Sequence, residues 1–198
     1  MQSEPTTAPL RRVVLIVALL NLAYFGVEFA VALSIGSVSL FADSVDFLED
    51  TSVNLLIFFA LSWTAVTRAR VGMAMAGILL VPSLALLWAL LRKFTYPVPP
   101  EPFALSLTGV GALSVNLFCA FLLARFRSHS GSLTRAAFLS ARNDAVANVA
   151  IIGAGLVTAY LWQTVWPDVI VGVAIAAMNI DAAREVWEAA REEHKAVA

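Results

Sequence analysis

Between Ser37 and Trp63 the chain is an apolar run broken by Asp43, Asp46, Glu49 and Asp50, with no Lys or Arg inside it to pair them. An ionised residue at the centre of a bilayer-spanning helix costs about 2.5–3.5 kcal/mol, so several left unsatisfied would cost on the order of 10 kcal/mol. At about 100° per residue, Asp43, Asp46, Asp50 and Asn54 fall within an arc of about 80°, with Glu49 directed well off it. The spacing predicts one stripe of oxygen facing one partner.

The other residues fit a membrane setting. Of 198 residues 60% are hydrophobic and 14% charged, and the mean hydropathy of +0.83 excludes an ordinary soluble domain. A net charge of -1 gives no basic excess for nucleic acid, and Cys119 alone cannot form an internal disulfide. The first ten residues lack the basic start and cleavage site of a signal peptide, so the first apolar run is expected to be a retained span.

At about 20 apolar residues per crossing, the pattern predicts an all-α protein with six transmembrane helices. Their expected ranges are 13–35, 39–67, 71–91, 103–124, 133–162 and 168–181. The connections are short: Gly36-Ser37, a Pro-rich turn (TYPVPPEPF), and residues 163–167. Residues 1–12 form an expected cytoplasmic tail, 13–181 the membrane domain, and 182–198 a short cytoplasmic helical tail with opposite charges at helical spacing. Arg11, Arg12, Arg68, Arg70, Arg125, Arg127, Arg135, Arg184, Arg191 and Lys195 share one side if both termini do, against Arg92 and Lys93 on the other. Both termini are therefore predicted to be cytoplasmic.

The fifth span repeats the polar pattern of the second, with Ser140, Asp144 and Asn148 on one face. Asp46 and Asp50 lie towards the middle of their span, as Ser140 and Asp144 do of theirs. Two crossing helices would gather four oxygen-bearing groups about one point, an arrangement suited to a divalent cation.

The segment GSVSLFADSVDFLED, residues 36–50, resembles the second-helix signature of the cation diffusion facilitators. Those transporters bind metal in the membrane through a His or Asp followed four residues later by Asp, a pair that Asp46 and Asp50 match. Their fifth-helix His-x-x-x-Asp aligns with Ser140 and Asp144 within SARNDAVAN, so the histidine is replaced. The resemblance extends to Asn21 and Glu28, to Asp43, and to Pro167-Asp168 at the sixth helix. Many members carry a cytoplasmic domain after that helix, and this chain resembles the short form without it.

The resemblance implies proton-coupled efflux of a divalent transition metal, by a homodimer in a bacterial inner membrane, with no prosthetic group. Asp46, Asp50, Asp144 and Ser140 are the expected metal residues, with Ser140, Asn143 or water completing the site. An oxygen-rich set admits Mn²⁺, Fe²⁺ or Co²⁺, while Zn²⁺ and Cd²⁺ are frequent substrates in the family. Cation arrival displaces protons from carboxylates, which couples the two bindings.

Other residues have plainer expected roles. Asp43 is read as a secondary ligand, a proton relay or a solvated mouth residue. Glu28 and Asn21 share a face of the first helix, where they could line an access path or pair with Arg142, itself expected in a buried salt bridge or snorkelling. Asn54, Asn143 and Asn148 are expected to stitch helices and Cys119 to pack. Trp63, Trp162 and Trp166 fall at expected interfaces, and His129 and His194 at the surface.

An intramembrane enzyme is excluded by motif: Ala112 follows Gly109-Val110-Gly111 where an aspartyl protease needs Asp, and no Asp-Gly pair precedes Asp46. The alternative function is a metal-binding membrane sensor or subunit that does not transport.

Overall fold

The structure, a computed structural model, describes residues 7–60, 84–126 and 131–178. They form α1 (Thr7–Ile35), α2 (Val38–Ala60), the end of α3 (84–95), α4 (Pro102–Ala124), α5 (Gly131–Tyr160) and α6 (Trp166–Met178). Among the described residues all regular structure is helical. Trp63, His129, His194 and the tail 182–198 lie outside them.

Polarity is inverted relative to a water-soluble bundle. Asn21, Glu28, Asp43, Asn54, Asn116 and Asn148 are buried, whereas Leu19, Leu33, Phe103, Leu107 and Phe121 are exposed. The surface is the greasy side because its solvent is hydrocarbon. Pro9–Ile35 and Pro102–Ala124 are long and apolar enough to cross a bilayer, with mean hydropathies of 2.2 and 2.0.

The helices α1, α2, α4 and α5 pack as a bundle through the pairs α1–α2, α4–α5, α1–α4 and α2–α5. One apolar cluster, including Val38, Phe41, Leu105, Ile151 and Val169, fills the end where α1 turns into α2. A second, including Val14, Val17, Ile57, Cys119 and Leu123, fills the opposite end. Cys119 packs there as expected, and the buried acids and amides lie between the clusters.

The turn from α1 to α2 explains how that spacing is held. Gly36 adopts φ 62°, the left-handed conformation that closes a helix, and the Ser37 amide donates back to the Ala32 carbonyl at 3.2 Å. Ser37 then opens α2, its Oγ accepting from the Leu40 amide at 3.1 Å. The remaining free amides, of Val38 and Ser39, donate to the Asp168 carboxylate on α6 at 2.8 and 3.1 Å. Ser37 Oγ and Ser39 Oγ donate to the same carboxylate at 2.6 and 2.7 Å. An anion from a distant helix thus completes the cap where the α2 dipole is positive.

Close approach makes this junction possible. A Cβ on Gly172 would stand 2.7 Å from the Val38 carbonyl carbon and 2.8 Å from the Ser39 nitrogen. Gly172→Ala should therefore push α6 from α2 and destabilise the protein by about 1–3 kcal/mol, read as a lower melting temperature in detergent. An unchanged melting temperature would refute the tight crossing. Nearby, burial pushes the pKa of Lys93 down, partly opposed by Asp168, and its Nζ donates to the Val98 carbonyl at 2.5 Å.

Several helix ends differ from the sequence expectation. The helix α5 stops at Tyr160 because the Leu161 and Trp162 amides both fold back onto the Val157 carbonyl, at 2.9 and 2.7 Å. The helix α6 starts at Trp166, two residues early, because Pro167 fits a first turn that needs no amide there. Glu101 caps α4 through its carboxylate, with Pro102 following.

Candidate metal centre

The cavity between α2 and α5 starts from two local facts. On α2, residues 46 and 50 are one helical turn apart, and so are residues 140 and 144 on α5. Packing of α2 on α5 turns the two pairs towards each other. Asp46, Glu49, Asp50, Ser140, Asn143, Asp144 and Met178 line one cavity of about 100 Å³. One water needs about 10–15 Å³ of such space, so this volume accommodates an ion with some of its waters.

A direct bond crosses the cavity. Ser140 Oγ donates to Asp50 Oδ1 at 3.0 Å, so the serine serves the facing helix rather than its own. Asp50 is buried, while Asp46 and Asp144 are half-buried and feel each other's charge. Below them Asn54 Nδ2 donates to the Asp50 carbonyl at 2.8 Å, which makes Asn54 a brace within α2 instead of a stitch between helices.

Asp46, Asp50, Ser140 and Asp144 all border this volume. Among the described residues no three His, Cys, Asp or Glu side chains are set closely enough to hold an ion as they stand. The cavity is a wall of acceptors with a preset Ser140–Asp50 contact.

Sequence reasoning missed Glu49. Helical geometry puts it about 60° beyond Asp46, off the stripe, yet it joins the cavity wall beside Met178 of α6. The cavity extends past the edge of the stripe, and the longer Glu side chain reaches it from the flank. A third helix was the missing signal.

The other polar expectations are corrected by burial. Asp43 is 0% exposed and accepts from Asn148 Nδ2 at 2.5 Å, so it is no solvated mouth residue. Asn116 Nδ2 in turn donates to Asn148 Oδ1 at 3.0 Å, which makes Asn148 the stitch the sequence suggested. Glu28 is also 0% exposed and lies against Asp43, not Arg142. Arg142 is exposed, its guanidinium lies 3.4 Å from Asn143 Oδ1, and among the described residues it forms no buried salt bridge.

Comparison with known proteins places this geometry in context. The family described as the cation efflux transmembrane domain matches residues 14–192. No curated protein matches the chain.

Proposed function

Because the chain belongs to the cation efflux family, the cation diffusion facilitators, it is a membrane-integral metal-cation transporter and not an enzyme, and we propose that its substrate is a divalent transition metal exchanged for protons. The observation that carries this reading is the shared cavity of Asp46, Asp50, Ser140 and Asp144. Zn²⁺ is the first candidate substrate, with Cd²⁺, Co²⁺, Mn²⁺ and Fe²⁺ as competitors.

Rotation of Asp46 and Asp144 about their side-chain torsions would bring their oxygens to Asp50, and Ser140 would keep Asp50 oriented while they close. Each carboxylate oxygen that accepts the cation gives up any proton it held, so substrate and protons compete for the same atoms. Alternating exposure of the cavity then converts that competition into exchange. Efflux by a homodimer in a bacterial inner membrane belongs to the same reading.

The test is flux in proteoliposomes. With an imposed pH gradient the purified protein should accumulate Zn²⁺ and move protons oppositely; binding without flux would identify a sensor or subunit instead. Ser140→His should raise preference for Zn²⁺ over Mn²⁺ by about tenfold, since imidazole favours the softer ion. An unaltered ratio in a competition assay would remove Ser140 from the coordinating set.

A further inference from the structure

Apart from the metal cavity, the bundle buries a second pair of acids that the transport reading leaves unused. Glu28 on α1 and Asp43 on α2 are both 0% exposed. Each carboxyl is the other's hydrogen-bonding neighbour. Yet Glu28 Oε1, Glu28 Oε2 and Asp43 Oδ1 find no donor among the described residues. Ionised carboxylate oxygens only accept, so two of them in contact cannot bond unless a hydrogen lies between them.

Two neighbouring donors are committed elsewhere. The Tyr24 hydroxyl, one turn before Glu28, is already given to the Thr108 carbonyl at 2.6 Å. Asn148 Nδ2 is given to Asp43 Oδ2, the oxygen other than the unpartnered one. The titratable groups acting on the pair are Tyr24 from α1, Asp46 and Asp50 from α2, and Asp144 from α5. From α4 the network receives only the Asn116 amide, through Asn148. No Lys or Arg among the described residues acts on either carboxyl.

We propose that Glu28 and Asp43 share one proton, forming a second ion site distinct from the metal-lining residues. The hydrogen turns an acceptor–acceptor contact into a charge-assisted O–H···O bond, the strong kind. Asp43 reaches α5 through Asn148, one turn from Asp144, so a shift of α5 relative to α2 as the metal cavity changes occupancy would pull on the shared proton. Use of this proton as the transport counter-ion rests on the exchange reading above; its presence does not.

Infrared difference spectroscopy of the full chain in lipid tests the proposal. Wild-type protein without metal at neutral pH should show a carboxylic-acid C=O band that Glu28→Gln removes. The glutamine amide can donate to Asp43 where the shared hydrogen did, so this variant should stay folded by circular dichroism. Its Zn²⁺ affinity by calorimetry should change by less than about threefold, well below the ~10–100-fold cost of losing a group that supports a ligand. Asp43→Asn should remove the same band.

An acid-band intensity in Glu28→Gln equal to that of wild type would overturn the shared proton. A fall in the number of Zn²⁺ ions bound by that variant would also overturn it, identifying a second metal site. Failure of wild type to bind Zn²⁺ at all would count against the transport reading alone, because the band is measured without metal.

Discussion

Asp50→Ala is expected to abolish metal flux in proteoliposomes while leaving a folded, helical protein. Asp50 is the most enclosed of the cavity-lining carboxylates and the one already engaged across the cavity, through Ser140 at 3.0 Å. Its removal deletes an acceptor and frees Ser140, so the wall loses both charge and preset geometry. Loss of an outer-shell partner alone costs about 10–100-fold in metal affinity, and a coordinating carboxylate should exceed about 100-fold. Calorimetric Zn²⁺ affinity and vesicle uptake would be measured together. Normal uptake would dismiss Asp50 from the substrate path. Asp46→Ala and Asp144→Ala should behave alike, because each removes an acceptor from the same wall.

Asp168→Ala should instead unfold the protein more easily without touching the cavity between α2 and α5. The carboxylate satisfies the Val38 and Ser39 amides and the Ser37 and Ser39 hydroxyls, all of them buried. The two hydroxyls, 3.3 Å apart, can turn to each other, but the two amides cannot move without breaking α2. Two orphaned amides at about 1–3 kcal/mol each, with the lost charge at the helix start, give a destabilisation of about 3–5 kcal/mol. On the scale of a chain this long, that should lower the melting temperature by about 10 °C. Tryptophan fluorescence during heating in detergent would read it. Asp168→Asn keeps one acceptor oxygen and should recover part of the loss; equal melting of all three proteins would refute the cross-helix cap.

Much of the site was readable because helical period converts spacing into direction. Four-residue intervals in Asp46–Asp50 and Ser140–Asp144 place each pair on one face whatever the partner, and buried charge in an apolar run demands a partner. Glu49 was misread for the same reason: period tells where a Cβ points, not how wide the facing cavity is. Asp43 was assigned three roles because distance along a helix says little about burial. Its place under Asn148 depends on α4 and α5, which are more than 50 residues away in the chain.

The junction at Asp168 shows the same division. Gly36-Ser37 announces a turn locally, since glycine accepts the left-handed conformation and serine caps the following helix. Nothing in those residues states that a carboxylate 130 positions later completes the cap, or that Gly172 must lack a side chain to let it arrive.

The sequence by itself determined the membrane class, the helical content and the polar stripes, because these follow from hydrophobicity and period within one segment. Only the tertiary structure decided which stripes face each other, that Glu49 joins the cavity between α2 and α5, and that Glu28 meets Asp43. Those outcomes depend on the rotation and separation of packed helices, which no single segment specifies.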